Sequence, residues 1–114
     1  MILKIKHQTK YNFSSQVPRL IQSIKLHPSK CKNQKIINWN ITYSTGLLEK
    51  SHQDALGHKI YNIYSKELEG NQIIISEGKV ETRDFQGVMH GLDDKVNPLC
   101  FLRHTDLTKP GSKI

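Results

Sequence analysis

The chain opens on a two-residue alternation, with Leu3, Ile5, His7, Thr9, Tyr11 and Phe13 in one phase and Lys4, Lys6, Gln8, Lys10 and Asn12 in the other. A pleated strand turns successive side chains to opposite faces, so this pattern predicts a half-buried strand with a basic, solvated outer face. Ser14-Ser15-Gln16 reads as a turn. Leu20, Gln22, Ile24 and Leu26 then alternate with Ile21, Ser23, Lys25 and His27 until Pro28, which cannot donate to a ladder and closes a second, less one-sided strand. Beyond a polar, basic loop at 29–35, Ile37, Trp39, Ile41 and Tyr43 share a phase against Asn38, Asn40 and Thr42. A third strand is predicted there, with Trp39 central to the core.

Ser44-Thr45-Gly46 interrupts the pattern, and Leu47-Leu48 begins a short edge strand running toward His52. Asp54-Ala55-Leu56-Gly57-His58 has turn chemistry, with Gly57 supplying a positive φ, and alternation resumes over Lys59–Tyr64, which together predict a hairpin. Glu69-Gly70-Asn71 is another turn. It leads into Gln72–Arg83, where Ile73-Ile74-Ile75 is strongly β and Gly78 predicts a bulge. Residues 84–98 are loop-like, with Gly87, Gly91, Asp93-Asp94 and Asn97-Pro98 and a short apolar patch at Val88-Met89. Leu99-Cys100-Phe101-Leu102 is a compact apolar run. Short β segments joined by Gly, Asn and Ser turns predict an all-β fold, an antiparallel β-sandwich or small barrel of about 6–7 strands with little helix.

Composition agrees. Thirteen Ile and eleven Leu stand against a single Ala, Ala55, so a β-branched residue leads while the best helix former is nearly absent. A length of 114 residues is one domain's worth, and an apolar fraction of 36% predicts a modest core or a module that completes its burial against a partner. The net charge of +7 is confined to the first part of the chain, which carries eight basic residues and no acid before Glu49. Lys4, Lys6 and Lys10 form a ladder that would suit a polyanion. Yet Tyr11, Phe13, Trp39 and Tyr43 share phase with aliphatic residues and not with that ladder, so the aromatic stacking surface of a nucleic-acid groove is missing. A solvated face that blunts an edge strand is the preferred reading, and nucleic-acid binding the alternative. No apolar run is long enough for a membrane span, and residues 1–6 alternate charge where a signal peptide would be apolar, so the expected location is cytoplasmic.

Candidate chemistry is sparse. His7 sits on the apolar face of the first strand and is expected to be a hydrogen-bonded core histidine. His52, Asp54 and His58 cluster around one turn, but their spacing fits a solvated turn better than a metal site, and His27, His90 and His104 lie in connecting segments without sequence partners. Cys31, between Lys30 and Lys32, has cationic neighbours but no helix start, base or oxyanion donor in its sequence context. Cys100 reads as a buried hydrophobe, and both thiols are expected to be free. Phosphate loops and paired carboxylates are absent. No catalytic, cofactor-binding or metal-ligating residue is predicted, and no cofactor.

Five segments, in order, resemble the N-terminal region of bacterial transglutaminase-like proteins, a family of cysteine proteases or acyltransferases. Leu3-Lys-Ile-Lys-His-Gln-Thr-Lys-Tyr-Asn-Phe13 is similar to its His-x-Thr-x-Tyr-x-aromatic first strand, Ile24-Lys-Leu-His-Pro28 to its Leu-Arg-Leu-x-Pro strand, and Asp54-Ala-Leu-Gly-His58 to its Asp-x-x-Gly-Asn turn. Val80-Glu-Thr-Arg-Asp84 with Gly87-Val88 resembles a Val-Glu-Thr strand and its Gly-Val continuation. Pro98-Leu-Cys-Phe-Leu-Arg-His-Thr-Asp-Leu-Thr-Lys-Pro110 resembles the closing Pro-Leu-x-Phe-Leu-x-x-Thr-x-Leu-Thr segment. His58 departs from the family's usual Asn, and His104 from its frequent Pro. The resemblance implies that residues 1–110 are an N-terminal β domain and 111–114 the start of a linker toward a catalytic core missing from this chain. It further implies that the Cys-His-Asp triad lies in that core, and that neither Cys31 nor Cys100 inherits it. The expected role is therefore a non-catalytic structural or docking module whose partner is the downstream core of the same polypeptide. Leu99–Leu102 and Val88-Met89 are its candidate docking patch, and a homodimer through a sheet edge or that patch is a further partner expectation.

Overall fold

The two longest strands lie side by side: β1 (Ile2–Asn12) pairs antiparallel with β7 (Asn71–Thr82) along its whole length, from Ile2 opposite Glu81 to Asn12 opposite Asn71. A computed structural model describes residues 1–92 and 96–112. On the other side of β7 runs β3 (Gln34–Tyr43), completing a sheet in the order β1-β7-β3. The second sheet has β2 (Val17–Ile24), β6 (Lys59–Leu68) and β4 (Leu47–Leu48) in the order β2-β6-β4, with β5 (His52–Gln53) also paired to β6. All pairings are antiparallel. A 3₁₀ turn at Pro98–Phe101 follows. The all-β expectation holds.

The sheets meet through alternate residues. Ile24 and Ile63 from the second sheet pack with Ile74 from the first, and Leu26, Ile41, Tyr43 and Tyr61 close around them. Ile63 is fully buried. Buried polar side chains share this interface, and each reaches a backbone carbonyl, as groups shut away from water must. Ser65 Oγ at 3.1 Å and Gln72 Nε2 at 2.8 Å both donate to the Thr45 carbonyl, so one oxygen at the β3–β4 crossing ties β6 to β7. At the other end the Leu26 carbonyl accepts from Trp39 Nε1 at 2.8 Å and from Ser76 Oγ at 3.1 Å. Trp39 is half-buried and serves as such a tie.

Two sequence readings need correction here. Ile37 does not share the inner phase of Trp39: pairing shifts by one residue between Ile36 and Asn38, so Ile37 bulges out and is exposed, and Ile36 takes its place opposite Val80. The bulge expected at Gly78 lies across the ladder from it. Gly78 is opposite Trp39, and a Cβ there would collide with the Asn38 carbonyl oxygen and come within 2.7 Å of Trp39 Cε3. Glycine is thus needed for close approach of the bulged strand. A second phase change sits at Glu67, whose φ of 49° precedes Leu68, buried at the end of β6.

The chain from Asp84 to His90 is irregular, as expected, and Arg83, expected in the strand, already lies beyond the end of β7; the segment is nonetheless anchored. Asn33 accepts from the His90 amide at 2.7 Å through Oδ1 and donates to the Val88 carbonyl at 2.7 Å through Nδ2, while its own carbonyl accepts from the Arg83 amide at 2.7 Å. Asp93-Asp94 and the last two residues of the expected linker, Lys113 and Ile114, lie outside the described residues. The radius of gyration, 18.3 Å, exceeds the roughly 13 Å of a compact domain this long. The buried apolar core is correspondingly small: Ile24, Ile60, Ile63, Leu68, Ile74 and Val80.

Candidate functional site

The strand whose alternation most clearly predicts a half-buried element is the least covered of the long strands. Leu3, Ile5, His7, Thr9 and Tyr11 share a face with the buried Val80, Ser76, Ile74 and Gln72 of β7, as the pairing register dictates. Yet Leu3, Ile5 and Tyr11 remain 36%, 37% and 42% exposed. His7 is also exposed, and its Nε2 lies 3.1 Å from Thr9 Oγ1 on the same strand, so it is a surface histidine and not a core one. The second sheet therefore leaves an apolar stripe of the first open.

The C-terminal segment adds a second apolar surface. Val88, Met89, Leu99, Phe101 and Leu102 are all more than half exposed. Cys100 is exposed within the 3₁₀ turn, contrary to the expectation of a buried residue, because that turn packs no residue into the core. Cys31 is half-buried in the β2–β3 connection, bridged to Gln34, and both cysteines are free. His104 is exposed, and the His90 ring stacks at a tilt on Phe85, with ring centroids 5.3 Å apart.

The Asp54–His58 turn is organised by one carboxylate. Asp54 Oδ1 accepts from the amides of Leu56 at 3.0 Å and His58 at 2.8 Å, and Oδ2 meets Lys25 Nζ at 2.8 Å and His58 Nδ1 at 2.9 Å. The Lys25 ammonium, with the His58 ring and amide, holds the Asp54 carboxyl well below the usual carboxylate range. Gly57 has φ +82°, the left-handed conformation this turn requires. His52 stands on β5 opposite Ile60 and outside this network. Among the described residues no group of three or more His, Cys, Asp or Glu could hold a metal.

Beside this turn lies a cavity of about 790 Å³, between the end of β2 with its following loop and the β5–β6 hairpin. Lys25, Lys30 and Lys59 line it with His27, His52 and His58. Sequence reasoning did not assemble this group, because its members come from separate stretches that only the β2–β6 pairing brings together. The available signal was the density of Lys and His at 25–32 and 50–59.

The model of the bacterial transglutaminase-like N-terminal region matches residues 3–81. The chain belongs to this family. The matched residues run from the start of β1 almost to the end of β7, so they cover both sheets, whereas the 3₁₀ turn and the segment through Pro110 lie beyond them. No curated protein and no solved structure gives a significant match.

Proposed function

We propose that this chain is the non-catalytic docking module of a transglutaminase-like cysteine hydrolase or acyltransferase, and that its partner is the catalytic core of the same polypeptide. The observation that carries the reading is the exposed apolar surface of a family member that is by description an N-terminal region: the open stripe of β1 and the side chains of Val88, Met89, Phe101 and Leu102. Burying such surface against a partner is favourable by about 25 cal/mol per Å² of apolar area, and patches of this kind mark interaction sites. The parent chemistry, thiolate attack on an amide or ester carbonyl through a thioester, belongs in this reading to the core. Cys31 and Cys100 have no place in it.

A polyanion-binding role draws less support. On the outer face of the first sheet Lys6 pairs with Glu77 at 3.9 Å, and Glu81 also stands on β7, so the lysine ladder is interleaved with acids. A cytoplasmic location is part of the proposal, supported by the two unpaired thiols. Among the described residues no helix is long and apolar enough to cross a membrane.

The test is association with a recombinant bacterial transglutaminase-like catalytic core added in trans. The chain is expected to bind it, and Ile5→Asp or Phe101→Asp to weaken binding by about 10-fold or more, since a charge would then be buried at the interface. Absence of binding, or thiol-dependent amide cleavage by the chain alone that Cys31→Ala or Cys100→Ala abolishes, would refute the reading.

A further inference from the structure

The cavity beside the Asp54 turn has a lining that docking does not account for. Three lysines and three histidines converge on it, and among the described residues no carboxylate lines it. Asp54, the acid next to it, has both oxygens occupied by Lys25, the His58 ring and two backbone amides, so it has little capacity left to balance the other cations. Among the described residues neither Lys30 nor Lys59 has a carboxylate partner. Lys59 Nζ rests 5.3 Å from the centroid of the Tyr61 ring. Like charges gathered around a concavity raise its potential and draw in an anion.

The histidine tautomers add to this. His58 Nδ1 faces a carboxylate oxygen and His27 Nδ1, at 3.0 Å, the Pro28 carbonyl oxygen. Both oxygens only accept, so both Nδ1 atoms carry the hydrogen, and both Nε2 atoms are left uncommitted among the described residues. Once protonated, each Nε2 is a further donor for an anion.

Charge, more than donor geometry, narrows the ligand. Among the described residues no arginine lines the cavity, so the planar fork that pairs with carboxylate and phosphate alike is missing, and the donors are lysine and histidine point charges that can meet the spread oxygens of a phosphoryl group one by one. A phosphate monoester carries about −1.5 to −2 charge at neutral pH, against −1 for a carboxylate. The volume of about 790 Å³ falls in the range of small-molecule sites and far exceeds what bare phosphate fills. Leu56 and Phe101, 46% and 65% exposed, supply apolar wall for an organic part.

We propose that this cavity binds a phosphate monoester, with its phosphoryl group among Lys30, Lys59 and the histidine Nε2 atoms and its organic part against Leu56 and Phe101. The cavity shares Phe101 with the docking face, but the proposal does not rest on the docking role and is read out by ligand binding to this chain alone. Phenyl phosphate, inorganic phosphate and benzoate are titrated into the chain and followed by calorimetry and amide shifts. Phenyl phosphate is expected to saturate about 10-fold or more below benzoate, and below inorganic phosphate. The double variant Lys30→Ala/Lys59→Ala is expected to lose about 10-fold or more for both phosphates, and Leu56→Ala to lose affinity for phenyl phosphate only. Lys4→Ala/Lys10→Ala, on the far strand, should bind as the parent does. Circular dichroism checks that each variant is folded. The proposal is overturned if no phosphate saturates, if benzoate binds equally well, or if the Lys4/Lys10 variant loses as much as the Lys30/Lys59 variant.

Discussion

β7 and β1 are neighbours over eleven consecutive pairings, yet one is the spine of the molecule and the other its open margin. Both alternate, and both turn the same phase toward the second sheet. On β7 the residues of that phase, Gln72, Ile74, Ser76 and Val80, are buried, while Leu3, Ile5 and Tyr11 of β1 remain more than a third exposed. The difference does not lie in the strands. It lies in what covers them: Ile24 and Ile63 of the second sheet pack on Ile74, and among the described residues that core cluster takes in none from β1. Periodicity assigns a side chain to a face, and only the opposing layer decides whether that face is dry.

Matched substitutions sharpen this contrast. Ile63→Ala empties a fully buried position between the sheets and is expected to cost about 2–5 kcal/mol in urea or thermal unfolding, whereas Ile5→Ala should cost less than about 1 kcal/mol in the chain alone. Equal losses would mean that the β1 stripe is covered in solution. The next effect concerns the irregular segment after β7, which the Asn33 side chain ties down at two points. Asn33→Ala removes its bonds to Val88 and His90 and is expected to cost about 1–3 kcal/mol, with hydrogen exchange faster at the His90 amide and unchanged at the amides of β7. A uniform rise in exchange would contradict a local anchor.

Smaller and opposite in sign is Gln22→Leu. Gln22 faces the interior opposite Ile63, and its Oε1 is shielded from solvent without a partner among the described residues. Removing that acceptor should stabilise the chain by about 1 kcal/mol in the same unfolding assay. The smallest expected effect is the acid response of the Asp54 turn. Its carboxyl pKa is lowered in the fold, first by Lys25, so its contribution to stability is present above the unfolded value of about 4 and is lost only as pH falls through the lower folded value. The Leu56 and His58 amide resonances should hold their positions through pH 4 and move only below it, and Lys25→Ala should bring that movement to higher pH.

Much of this fold is legible in the sequence. Alternation and turn residues locate β1, the hairpin at Asp54–His58, the Glu69-Gly70 turn and the long strand that follows, because those signals are local. Three features escape for physical reasons. The Ile36/Asn38 register shift depends on the partner strand, so Ile37 looks interior until β7 is beside it. The Thr45 and Leu26 carbonyls that satisfy Gln72, Ser65, Ser76 and Trp39 are crossings between sheets, invisible to a period-two reading. The cavity residues are gathered by pairing between distant segments. Family motifs were legible too, and the match over residues 3–81 confirms the family across the two sheets.

The central claim, that the exposed apolar surface is a docking face for a catalytic core, is tested most directly by the salt dependence of that association. Titration of the chain with a transglutaminase-like core at 50 and 200 mM salt should give dissociation constants within about 3-fold of each other and a negative heat-capacity change, the mark of apolar burial. A fall in affinity of about 10³-fold or more over that range would assign the contact to the basic strand face instead, and would contradict the account.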